Sequence, residues 1–169
     1  QGGQCGDRGA IMTDDDEPEA QGILDVQDTI RVGEAVLHVG KVRRGGFYIE
    51  QLVFLKVDKN REWTKKNHTV THMMNWALRE VLGEHVQQKG SLVDPEKTRF
   101  DLSHHAQITE EQLACVEELV NQLVVEDTPV HTQIVEKDKA LEINTLRAVF
   151  GEQYPDQVRV VSVGVPVEE

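Results

Sequence analysis

Two histidines, His68 and His72, stand four residues apart in NHTVTHMMNWALRE, a stretch with helical periodicity. Side chains at i and i+4 stack on one helical face, so two imidazole nitrogens placed this way can converge on a single cation. HExxH metalloproteases use the same spacing, but Thr-Val-Thr separates the histidines here and supplies no glutamate as a general base. By itself the pair is equally well described as two solvated histidines on a polar face. The remaining candidate ligands are His85, His104, His105, His131, Cys5 and Cys115. His104 and His105 are adjacent and would point to opposite sides of an extended chain, so at most one could join a cleft. Cys115 has no Cys or His partner at ligand spacing and reads as a thiol packed on a helix flank. On residue logic alone the metal site is incomplete.

The elements that would position these groups follow from the pattern. A helix is predicted from about Asn67, a good N-cap, to about Leu82, with Gly83 as its stop. At about 100° per residue, Val70, Met73, Met74, Ala77, Leu78 and Val81 share one face, and His68, His72, Asn75 and Arg79 the opposite one. The histidines therefore look into solvent or into a cleft. Thr109 and Gln112 form a capping box for a second helix, with Ile108 and Leu113 as a hydrophobic staple. Its apolar stripe is Leu113, Val116, Leu119, Val120, Leu123 and Val124. Between the helices, SLV and TRFDL read as hairpin strands around a DPEK turn, and further strands are expected at about 130–135 and 157–165.

Residues 1–65 read as β-rich. A glycine-rich opening, QGGQCGDRG, precedes a polar loop, DDDEPE, at 14–19. AVLHVGKV and FYIEQLVFLKVD read as strands with RRGG as the turn between them. The fold class is α+β: a small N-terminal β-barrel or curled sheet over 1–65, then an α+β domain over 66–169.

The chain has 169 residues and a net charge of −12, which argues against a broad basic face that tracks nucleic acid by charge. Lys41, Arg43 and Arg44, and Arg61, Lys65 and Lys66, are local basic clusters that read as solvated turns. Two cysteines make no disulfide framework and suit a reducing compartment. No apolar run is long enough for a membrane span, and no signal-peptide pattern is present. The start at Gln1 and the end after VPVEE suggest a region of something longer.

Several spaced blocks carry a resemblance: NHTVTH, NWALREVLGEHVQQKGSLVDPEKTRFDLSHH and AVFGEQYPDQVRVVSVG. In this order they resemble the editing domain of alanyl-tRNA synthetases, over essentially the whole chain. QGGQCGDRG is similar to the segment that begins that family's β-barrel. The threonyl-tRNA synthetase editing domain and free-standing alanyl-tRNA editing proteins share the HxxxH fold. The resemblance implies hydrolysis of tRNA(Ala) mischarged with serine or glycine. A pocket shaped for a methyl group cannot exclude glycine, and it rejects an added hydroxyl by only about a hundredfold in comparable cases.

The resemblance also implies site residues: His68 and His72 as zinc ligands, Gln88 as a pocket glutamine implicated in editing, and Arg99 and Asp101 beside the pocket with Phe100; a water held by Gln88 and main-chain groups is the expected nucleophile. The family completes its zinc site with a Cys-x-x-x-His, expected beyond Glu169. ATP and Mg would belong to an aminoacylation domain N-terminal to Gln1. The compartment is cytoplasm or mitochondrial matrix, with a slight lean to the mitochondrion from NWALR and VSVGVPV. Other readings are a non-catalytic tRNA-contacting fragment, a generic metallohydrolase drawing a third ligand from His104 or His105, and, more remotely, a release-factor-like peptidyl-tRNA hydrolase suggested by Gly-Gly-Gln at 2–4.

Overall fold

The computed structural model describes residues 3–14, 21–143, 146 and 154–167. Most of the DDDEPE loop, the first two residues of the opening and most of AVFGEQYP lie outside the described residues. The fold is mixed α+β with antiparallel sheets, and it divides into two compact units.

The first unit comprises residues 1–69 and 91–99. Its sheet contains β1 (Gly9–Thr13), β2 (Ile23–Val32), β3 (Ala35–Arg44) and β4 (Val53–Val57), in the order β3-β2-β1-β4. β1 is central, with Ile11 facing Leu24 of β2 on one side and Leu55 of β4 on the other. β2 and β3 form a long hairpin closed at Gly33, whose φ of 60° suits a residue without a Cβ. Two expectations need correcting. Residues 47–52 of FYIEQLVFLKVD form a loop, and β4 pairs with β1, not β3. The loop turns at Tyr48–Gln51, where the Gln51 side chain accepts the Tyr48 N–H at 3.2 Å and Glu50 sits at a φ of 65°.

A long helix, α1 (Arg61–Leu82), begins in the first unit and continues in the second. It starts six residues before Asn67. The first turn is set by Asp58, whose carboxylate accepts the Asn60 N–H at 2.8 Å, and by the Asn60 carbonyl, which accepts from Trp63 and Thr64. Asn67 is therefore not the cap. It lies within the helix, and its side chain donates to the Asp94 carbonyl at 2.8 Å.

The second unit comprises residues 70–90 and 100–169. Its core gathers Ala77 and Leu78 of α1, Val86, and Val116 of α2 (Glu110–Val125), with Met74, Phe100, Leu102 and Val120 packed around them. The Thr109 capping box is formed as expected. Leu113 and Val124, however, are exposed, so the buried stripe of α2 is narrower than the periodicity implied. β5 (Gln88–Val93) and β6 (Thr98–Leu102) make the expected hairpin. β7 (Val130–Glu136) and β8 (Gln157–Val163) pair antiparallel, with α3 (Lys137–Leu141) between them in sequence.

Candidate functional site

Both histidines sit on α1, four residues apart. His72 is exposed and His68 half-buried. The expected division into an apolar and a polar face holds only in part. Burial runs from Met73, Ala77 and Leu78 round to Thr71 and Asn75, which are also buried. Small polar side chains can be covered on a helix flank where a hydroxyl returns to the helix backbone, as Thr64 does toward the Asn60 carbonyl at 3.4 Å. His68 marks the edge of this buried arc and His72 lies outside it. Arg79 is ion-paired with Glu84, and among the described residues the Asn75 Oδ1 has no hydrogen-bond partner.

The β5–β6 hairpin carries the other candidate residues. Gln88 opens β5 and is half-buried. Arg99 and Asp101 alternate with Phe100 in β6, Arg99 exposed and Asp101 half-buried. Gln88 and Asp101 lie on the two neighbouring strands, and the Asp101 carboxylate lies against Gly90, where a Cβ would stand 3.0 Å from Oδ2. The hairpin's turn is fastened to α1 next to His68: besides the Asn67 contact, the Thr98 hydroxyl donates to the Asn67 carbonyl at 3.3 Å.

Asp94 organises that turn. Its carboxylate accepts the Lys97 and Glu96 N–H groups, each at 2.8 Å, and these bonds hold its pKa below the ordinary 3.8. A depressed folded-state pKa means that the turn's stabilisation is complete above the unfolded pKa and is lost as the pH falls through the lower folded value. The Lys97 amide resonance should therefore titrate with a midpoint below 3.8. In Asp94→Asn, which keeps an acceptor but cannot ionise, that step should vanish.

Three other imidazoles form a cluster in the second unit, which His131 in β7 does not join. His85, in the loop after α1, stacks with His104 at 5.2 Å and with His105 at 5.0 Å, and its Nε2 lies 2.9 Å from the His104 Nδ1. His104 and His105 are not in a strand, so the expected opposition of their side chains does not apply. A bracket around Ser103 holds the two loops together: its hydroxyl accepts the Gln87 N–H at 3.1 Å and its own N–H donates to the Gln87 carbonyl at 3.0 Å. Cys5 and Cys115 are both exposed free thiols, so Cys115 is not packed on the helix flank.

Among the described residues, no group of three or more His, Cys, Asp or Glu side chains is arranged to hold a metal ion. His68 and His72 fit two of a zinc ion's ligands in donor type and spacing, but the described residues do not complete the set. The basic clusters are largely engaged within the chain: Arg43 with Asp25, Arg61 with Asp7, Lys65 with Glu62, and Lys66 over the Trp63 ring.

No protein-family model matches the chain. Curated relatives do. The chain is 43% identical over 165 residues to an alanine–tRNA ligase of Shewanella loihica, and 43% identical over 169 residues to one of Cupriavidus necator. It is 45% identical over 164 residues to one of Pseudomonas syringae. These alignments cover 96% to 99% of the chain. The chain matches a segment of the alanine–tRNA ligase family. It spans 18% of the length of those relatives. All three ligases are bacterial, so the mitochondrial lean of NWALR and VSVGVPV finds no support. Among the described residues no helix is long and apolar enough to cross a membrane.

The sequence reading did not bring Gln4 to His68. Its amide lies 2.6 Å from the His68 Nδ1. The amide stands in Gly-Gly-Gln at 2–4, but its sequence distance from the histidines gave no hint of the contact.

Proposed function

We propose that this chain is the editing region of an alanine–tRNA ligase, which hydrolyses the ester of tRNA(Ala) mischarged with serine or glycine. The whole ligase would join alanine to tRNA(Ala) with ATP and Mg in a separate domain. In this reading the four-stranded sheet belongs to a small β-barrel and the remainder to an editing domain of the threonyl/alanyl type. The observation that carries the reading is HTVTH on a helix edge, with His72 exposed, inside a segment similar to the ligases along its whole length.

His68 and His72 would hold zinc, with the remaining donors outside the described residues. When bound, zinc would supply Lewis acidity toward an ester carbonyl or a water. The chain's own groups do the rest. The Gln88 amide, at the start of β5, holds the attacking water. Arg99 and Asp101 border the pocket that admits the small aminoacyl group. The water adds to the ester carbonyl, and the ribose hydroxyl of the tRNA leaves with a proton. Holding the reactants within bonding distance is worth much of the rate, and a misplacement of about 1 Å can cost a hundredfold. Gln88→Ala in the intact ligase should therefore lower kcat/KM for Ser-tRNA(Ala) deacylation by about a hundredfold. Unchanged deacylation would remove Gln88 from this role.

A further inference from the structure

Gly3 and Gln4 have their places in the fold explained by one backbone contact. Gly3 has a φ of 79°, and a Cβ there would overlap the Ser91 carbonyl oxygen. Its own carbonyl accepts the Val93 N–H at 2.9 Å, and the Cys5 N–H donates to the Val93 carbonyl at 2.9 Å. Gln4 is thus clamped between two backbone hydrogen bonds to a fully buried residue of β5. Its side chain reaches α1, where one amide atom lies 2.6 Å from the His68 Nδ1. The other faces the Arg61 guanidinium and contacts both of its terminal nitrogens. Arg61 is itself held by Asp7, Nε to Oδ1 at 3.0 Å.

A guanidinium has only donors, so the amide atom that faces it must be the oxygen. Nε2 of Gln4 then faces the His68 Nδ1 and donates to it. A ring nitrogen that accepts carries no proton, so neutral His68 has its proton on Nε2.

We propose that Gln4 is a positioning residue that sets the tautomer of His68, and that its amide turns over when His68 takes a metal through Nε2. The second part rests on the reading of His68 as a metal ligand. Ligation through Nε2 needs that nitrogen's lone pair, so the proton must sit on Nδ1, and a metal-ligating histidine donates this N–H to an acceptor. Gln4 can accept only by turning its amide through about 180°, because its oxygen and nitrogen exchange places. The turn brings the amide NH2 against the donors of Arg61. Arg61 therefore opposes the metal-ready tautomer, and loading requires the guanidinium to move aside. A carboxylate at position 4 would remove the conflict, since it accepts from Arg61 and from Nδ1–H together, the carboxylate–histidine–metal arrangement that favours ligation.

The test reads the ring directly. In the metal-free chain with 15N-labelled histidine, two-bond proton–nitrogen correlations at pH 8 should place the His68 proton on Nε2. In Gln4→Glu it should move to Nδ1. In the intact ligase, competition with a fluorescent chelator should show Gln4→Glu binding zinc about tenfold more tightly than wild type. A wild-type ring protonated on Nδ1, or a Gln4→Glu ring still protonated on Nε2, overturns the proposal. If the tautomers behave as expected and the intact wild-type ligase takes up no zinc at His68, the metal reading fails. The amide turnover then fails with it, while Gln4's hold on the ring stands.

Discussion

Replacing His68 or His72 by alanine in the intact ligase should lower its affinity for zinc by about a hundredfold or more. Loss of a partner that merely orients a ligand costs about ten- to a hundredfold in metal affinity, and loss of the ligand itself should cost at least the upper value. In free energy that is about 2.7 kcal/mol or more. Two features of α1 make this the expected direction. The residues stand at i and i+4, so one ion can reach both, and His72 is exposed beside a half-buried His68. Equilibrium dialysis at buffered free zinc measures the change. Substitution of the exposed His105, which stacks on His85 in the separate cluster, should leave it unaltered.

The largest expected effect on stability lies in the second unit. Leu78 is 4% exposed and packs with Ala77, Val86 and Val116. Truncation to alanine removes its transfer free energy and leaves a cavity, so Leu78→Ala should destabilise by about 3 kcal/mol. This is a large share of the roughly 5–15 kcal/mol that holds an ordinary domain together. Urea unfolding followed by circular dichroism reads it as a lower midpoint at unchanged slope. Val124→Ala on α2 is the contrast. Val124 is 54% exposed, and its truncation should change the midpoint little.

The residues differ in how plainly their sequence announced them. Leu78 and Ala77 followed from helical phasing alone, because an apolar face must be covered. The Thr109–Gln112 box followed from local side-chain chemistry, and so did the β5–β6 hairpin around its DPEK turn. These signals act within a few residues of one another. The start of α1 was misplaced because Asn67 and Asn60 are both reasonable caps, and the choice is made by Asp58 and by the covering of Thr64. β4 was joined to the wrong neighbour because apolar periodicity says where a strand is and not which edge it pairs with. Asn75 was assigned to an outward face that the fold partly covers.

The candidate site shows the same division. HTVTH was legible as a pair of possible ligands, since helix geometry fixes their spacing. The task proposed for them rests on resemblance along the chain and not on their spacing. Gln4 escaped because its contact with His68 spans 64 positions and depends on a backbone clamp at Val93. No periodicity encodes such a contact.

The most direct test compares two activities of one enzyme. In the intact ligase, the His68→Ala, His72→Ala double variant should lose Ser-tRNA(Ala) deacylation by about a hundredfold or more and should charge tRNA(Ala) with alanine at the wild-type rate. Deacylation at the wild-type rate in that variant would contradict the assignment of HTVTH to the editing site.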